Sequence, residues 1–261
     1  MKTVWITALK EDQPRVAAVT AVLKRYGLQC KGHFWVDQPD QPDKMAWRVA
    51  LDALLEAKAD AWLVLVDGDE VKKPSVRYGL SLMAAALRSA RGSASMLTLW
   101  NSPPPAEAAL PPLMARAELL LESGASWPAK IVAKANMPPK AVPAEFRLDV
   151  LGNERLGQWF EIGPVAGAWS GVVFGVAGAD AAINFQAVGP KGALPDKTSL
   201  EFAQEGMQIK AGGRDFTAWA VRNTVGADAS YFARVKGSPE AILFMPYAEE
   251  SDAPADIVWL V

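Results

Sequence analysis

Three carboxylates fall within four residues at Asp67-Gly68-Asp69-Glu70, directly behind the apolar run Ala61-Trp62-Leu63-Val64-Leu65-Val66. Carboxylates two residues apart can share a divalent cation through oxygen ligands. Alternatively, one of them, raised in pKa by its neighbours, can serve as a general acid or base. A plainer reading stands beside both: a solvated acidic loop balanced by Lys72 and Lys73. Asp67, Asp69 and Glu70 are therefore the candidate catalytic residues. No residue is assigned as a metal ligand, and no cofactor is assigned.

Position gives these residues their interest. In open α/β sheets, ligands bind beyond the carboxyl ends of the parallel strands. The run 61–66 is continuously apolar, as a parallel strand covered on both faces should be. A first strand, Val4-Trp5-Ile6-Thr7-Ala8, would end on the same edge, which makes Thr7 and Lys10 candidates for phosphate or ribose contact. Ser95-Met96-Leu97-Thr98-Leu99-Trp100 is a further strand, so Asn101 could line the crevice. Asn101-Ser102 ahead of three prolines is also ordinary loop chemistry. Gly68 would permit a tight turn after the third strand.

Other chemistry is poorly provided for. The chain has one histidine and one cysteine, which excludes an intramolecular disulfide framework and any site needing a His pair. His33 lies beside Phe34 and Trp35 and reads as structural. Cys30 reads as a buried, inert thiol. Neither GxGxxG nor GxxxxGK[ST] occurs, so those nucleotide fingerprints fail, and no GxSxG elbow is found. Ten tryptophans are spread over both halves and suit packing better than base stacking.

The elements that must position the carboxylates follow from periodicity. Asp12 to Tyr26 carries apolar residues near a 3.6 period, with Asp12 as N-cap, Pro14 in the first turn and Gly27 as the terminating glycine. Lys31–Val36 reads as a second strand and Asp43–Lys58 as a second helix. Ser75–Ser89 reads as a third helix, Leu110–Ser123 as a fourth, and Ile131–Ala133 as a fifth, short strand. Alternating strands and helices predict a parallel sheet with helices on both faces.

At roughly 150 residues per domain, 261 residues leave one or two domains open. Composition decides for two. Residues 1–143 hold 6 of the 20 glycines but 13 of the 19 prolines, and carry a net +4; the remainder carries −6. The Pro-rich stretch 136–143 is the expected linker. This divides an α/β domain, 1–135, from a β-rich domain, 144–261. In the second, short alternating runs recur at Ile183–Ala187, Leu200–Phe202, Met207–Ala211, Phe216–Val221, Tyr231–Val235, Ala241–Met245 and Ile257–Val261. They predict an antiparallel β-sandwich or barrel.

The overall charge of −2 argues against a nucleic-acid binder. The opposed charges of the halves could favour interdomain or head-to-tail contact, and so a homo-oligomer, although salt screens them within about 8–10 Å. From Ile162 to Ala179 there are 18 uncharged residues with glycines at 163, 167, 171 and 175. That spacing matches packed membrane helices. Pro164, the glycine content and the alternation of Val172, Phe174 and Val176 favour strands instead. No membrane segment or secretory signal is expected, and cytoplasmic location is the default.

The stretch Asp43–Asn101 resembles the TIR-like and nucleoside 2-deoxyribosyltransferase-like group. The resemblance rests on Ala59–Asp67 and on Pro74-Ser75-Val76-Arg77-Tyr78-Gly79-Leu80-Ser81, which opens an Ala-rich helix. It implies a flavodoxin-like fold and cleavage or exchange of N-glycosidic bonds of nucleosides or NAD. The group's glutamate stands two residues before a glycine; before Gly79 that position is Arg77. The resemblance therefore implies a nucleotide- or nucleoside-binding module without the group's catalytic residue, Arg77 becoming a candidate ligand contact. An N-glycosidase would have to use Glu70. A second resemblance, of Leu63–Asp69 to the DxD strand of GT-A glycosyltransferases, implies a metal-dependent transferase acting through Asp67 and Asp69. The expectation carried forward is a non-enzymatic binding module with a nucleotide-like ligand or partner, its β domain mediating assembly.

Overall fold

The computed structural model describes residues 1–38, 40–41, 46–92, 95–105, 110–137, 145–153, 155–247 and 254–261. The chain divides into two compact units, Met1–Pro39 with Ala46–Val142, and Asp40–Met45 with Pro143–Val261.

In the first unit, strands β1 (Thr3–Ala8), β2 (Gln29–Phe34), β3 (Ala61–Val66), β4 (Ser95–Trp100) and β5 (Glu118–Leu121) form one parallel sheet in the order β2-β1-β3-β4-β5. This is the flavodoxin-like doubly wound order. β1 and β3 are buried at every residue, which is why their sequences are nearly unbroken apolar runs. Helices α1 (Gln13–Arg25) and α4 (Trp127–Asn136) set Val19, Leu23, Ile131 and Ala135 against Val4, Ile6, Leu63 and Leu97 on one face. Helices α2 (Ala46–Glu56) and α3 (Pro74–Arg91) pack on each other. Gly79 of α3 meets Trp35, which leaves β2 on the opposite face.

Local signals set the boundaries of α1. The Asp12 carboxylate accepts from Arg15 N at 3.0 Å. At the other end Gly27, at φ +79°, lets Leu28 N reach Leu23 O at 3.2 Å.

Two expectations are corrected. Leu110–Ser123 is not a helix: Pro112–Met114 forms one 3-10 turn and Glu118–Leu121 is the fifth strand, pairing with Leu97–Trp100. Pro112 holds Pro111 extended and opens only a single 3-10 turn, and the leucine run that follows completes an open sheet edge against β4. Ile131–Ala133 is not a strand but the middle of α4. Pro128 sits in that helix's first turn, and Ile131 and Ala135, one turn apart, face the core. Asp43, the expected start of α2, and most of the expected linker lie outside the described residues.

The second unit is antiparallel throughout its described strands. β6 (Phe146–Asn153), β7 (Gly157–Pro164), β10 (Ala182–Pro190) and β14 (Ala229–Lys236) form a sheet in the order β10-β14-β7-β6. β9 (Val172–Ala177), β11 (Gln204–Ala211), β12 (Arg214–Val221), β15 (Ala241–Pro246) and β16 (Asp256–Trp259) form another, in the order β11-β12-β9-β15-β16. Short β8 (Ala168–Trp169) and β13 (Val225–Gly226) pair apart from both. The sheets share an aromatic core: Phe174 lies 6.0 Å from Phe160 and 6.1 Å from Tyr231, and Phe146 meets Phe244 edge-on at 4.7 Å. The uncharged run 162–179 is the end of β7, the short β8 and then β9, and no described helix is long and apolar enough to cross a membrane. Leu200–Phe202 is not a strand. It is a bend, with Phe202 in the left-handed region at φ +47°.

Candidate functional site

In this strand order the direction of winding reverses between β1 and β3, so the crevice opens at their carboxyl ends. Lys10, just past β1, and Asp67, just past β3, face each other there, with Nζ 3.8 Å from Oδ2. Asp67 also organises its own loop. Its Oδ1 accepts from Asp69 N at 3.1 Å and Glu70 N at 3.5 Å, and its carbonyl accepts from Val71 N. That starts the 3-10 turn Glu70–Lys72 which leads into α3. Gly68 is not at positive φ, and a Cβ there would touch only Pro105 at ordinary distance, so the turn does not require glycine.

Of the other two carboxylates, only Asp69 points fully outward; Glu70 is half-buried. The Asp69 side chain is 93% exposed, 3.6 Å from Lys72 Nζ. Glu70 Oε2 accepts from Lys73 Nζ at 2.7 Å. Lys72 and Lys73 thus pair with Asp69 and Glu70, while the lysine facing Asp67 is Lys10. Lys73 has its pKa raised, chiefly by the Glu70 hydrogen bond, with Asp37 and Asp67 adding. Both oxygens of Asp67 are engaged, and among the described residues no group of three or more His, Cys, Asp or Glu is arranged to hold a metal ion.

The remaining candidates scatter. Thr7 does not reach the crevice. Strand alternation turns it inward, fully buried, where its hydroxyl accepts from Trp62 Nε1 at 2.8 Å. Arg77 lies half-buried in the first turn of α3, its N–H bonded to Lys73 O. Asn101 is exposed beyond β4 and accepts from the Ser102 hydroxyl at 3.3 Å.

Sequence reasoning missed the residue that knits this edge together. Arg15, fixed in the first turn of α1 by the Asp12 cap, donates Nε to Glu122 at 2.6 Å, Nη1 to Val66 O at 3.2 Å and Nη2 to Leu99 O at 3.1 Å. It ties the ends of β3 and β4 to the residue following β5. Its place three residues past an N-cap puts it at the right edge, but nothing in the sequence shows its reach. Asp37 and Ser75 were also missed; the Ser75 hydroxyl donates to Asp37 Oδ2 at 2.5 Å.

Cys30 and His33 do not form a pair. Three residues apart on β2, they point to opposite faces. Cys30 lines a pocket of about 280 Å³ with Val16, Thr20 and Phe34, and burial raises its thiol pKa against the pull of Lys24. His33 accepts from Trp5 Nε1 at Nδ1, 3.1 Å away, and lies between the Trp5 and Trp35 rings. Its Nε2 is buried without a partner among the described residues, and burial lowers its pKa to about 4. It is neutral at pH 7.

Chemically, the rim offers ammonium groups and carboxylates held by exposed ion pairs. Such pairs contribute little and exchange partners readily, so an incoming ligand can take Lys10 or Lys73 for an anionic group and a carboxylate for a hydroxyl. The chain matches no family model and no curated protein.

Proposed function

We propose that the first unit is a binding module for a nucleotide-like ligand, seated at the carboxyl ends of β1 and β3, and that the second unit mediates assembly. The observation that carries this reading is the meeting of Lys10 and Asp67 across the switch point of a β2-β1-β3-β4-β5 sheet. Arg77, where the resembling group has its glutamate, supports binding without bond cleavage. The engagement of Asp67 by Lys10 and by two backbone N–H groups supports a loop-organising role over a metal-bridging one.

Calorimetric titration of the full chain with NAD, nucleosides and nucleotides tests the proposal. Binding of a phosphorylated ligand that weakens at least tenfold in Lys10→Glu is the expected outcome. Absence of heat with every one of these compounds would withdraw it.

A further inference from the structure

The mouth of this crevice is crossed by the segment that leaves β2. Trp35 N donates to Ala8 O at 2.8 Å, so the segment is bonded to the last residue of β1. It then reaches the helix that follows β3 at two points one turn apart. The Trp35 indole lies so close over Gly79 that a Cβ on that glycine would stand 2.6 Å from Cζ2. Two residues on, Asp37 Oδ2 takes the Ser75 hydroxyl at 2.5 Å. Because β2 and β3 flank β1, a segment bonded to β1 and fastened to α3 passes over the end of β1 on the α3 side.

The second fastening is also an electrostatic one. Asp37 lies near enough to Lys73 to help hold that ammonium in its charged form, together with Glu70 and Asp67. A carboxylate is thus already seated where a ligand's anionic group would look for a hydroxyl and an ammonium.

We propose that Trp35–Asp37 is an autoinhibitory strap: Asp37 stands in for the anionic group of the ligand, and a phosphorylated ligand must displace it to enter. This rests on the nucleotide-binding reading above and adds its regulation. The strap lowers apparent affinity by the fraction of molecules in which it is closed. Removing the stand-in charge weakens the hold on the Ser75 hydroxyl and takes one of three carboxylates away from Lys73, which keeps its Glu70 bond, and the gain is confined to ligands that carry the anion. Wedging the indole off α3 opens the mouth to both kinds of ligand.

The test compares the full chain with Asp37→Asn, Ser75→Ala and Gly79→Ala, using AMP and adenosine as probes. Gly79→Ala pushes the indole aside while improving helix propensity, so loss of the fold is not its expected consequence. Asp37→Asn should tighten AMP about tenfold and leave adenosine unchanged, Gly79→Ala should tighten both, and Ser75→Thr, which keeps the hydroxyl, should behave as the original chain. A packing role alone would weaken binding or leave it untouched. Unchanged or weaker AMP binding in both Asp37→Asn and Gly79→Ala overturns the strap. Hydrogen exchange of residues 35–38 reads the strap without any ligand. Faster exchange in Asp37→Asn and Ser75→Ala is expected, and equal exchange in all forms overturns the strap even if AMP binds. If no form binds either probe but exchange responds, the fastening stands, while the ligand reading and the autoinhibition built on it both fall.

Discussion

Asp67, Asp69 and Glu70 in the first unit and Glu161 in the second are carboxylates in opposite settings. The first three stand at the rim of a parallel sheet, with lysine partners that are 40–59% exposed. The Glu161 side chain is 4% exposed. Its Oε1 accepts from the Ser230 hydroxyl at 2.6 Å and Gly192 N at 2.9 Å, with Arg147 Nη1 3.6 Å away. Arg147 in turn donates to Pro164 O, Ser230 Oγ and Ala229 O, so β6, β7 and the start of β14 meet on one guanidinium. Rim pairs can trade partners with water or a ligand. The buried pair cannot, because separating it strands a charge. Adjacent carboxylates in a sequence draw attention to binding chemistry, but the carboxylate most deeply committed here stands alone in its strand and fixes the fold.

The largest test of this contrast is Glu161→Ala. It leaves Arg147 uncompensated in the sheet and should cost about 3–5 kcal/mol, read from urea unfolding. Glu161→Gln, which can keep the Ser230 and Gly192 contacts, should cost less. A loss below about 1 kcal/mol for the alanine variant would place Glu161 among the rim residues.

His33 extends the contrast to a group buried without charge. Its pKa of about 4 lies below the unfolded value of about 6.5. Between those values the unfolded chain binds the extra proton. The stability from keeping His33 neutral is therefore complete above about pH 6.5 and is lost as pH falls toward about 4. The full span is about 3 kcal/mol. His33→Phe should flatten this part of the stability–pH profile. An unchanged slope between pH 6.5 and 4 would show that His33 becomes charged without hindrance.

How far the sequence foretold this arrangement depended on whether a residue's role is local. The unbroken run 61–66, the Asp12 cap and Gly27 are local signals, and each element appears where they place it. The pairing of Lys72 and Lys73 with the acidic turn is local as well, three residues along the chain. Glu118–Leu121 and Ile131–Ala133 are ambiguous in sequence because a short apolar run fits either period, and the packing partner decides. Arg15 joining residues 51 and 84 positions away, and Asp37 reaching Ser75, are products of the assembled sheet and have no sequence pattern of their own. Thr7 shows the reverse: its position near the end of β1 is legible in the sequence, while its inward direction follows from strand alternation, which buries it.

Asp12 grades the contrast from within the rim. It lies beside the crevice, but its carboxylate caps α1 through Arg15 N. Asp12→Ala should cost about 1 kcal/mol, between the buried and the solvated cases. It should also loosen Arg15, so exchange at the end of β4, where Leu99 O receives Nη2, should quicken. A cost matching that of Glu161→Ala would erase the distinction between rim and interior.

The smallest effect belongs to Asp69→Asn, and its smallness is the point. The side chain is 93% exposed, makes no cap hydrogen bond to the 3-10 turn, and meets Lys72 only at 3.6 Å, three residues along. Substitutions at such a surface position fall within about 0.5 kcal/mol, and what remains of the pair should vanish at high salt. Unfolding in urea at low and high ionic strength should therefore give nearly superimposable curves for the variant and the original chain. A loss above about 1 kcal/mol that persists in high salt would mean Asp69 is held by the fold. The rim carboxylates would then be structural like Glu161, and the readily exchanged charges on which ligand entry depends would have to be sought at Lys10 and Lys73 alone.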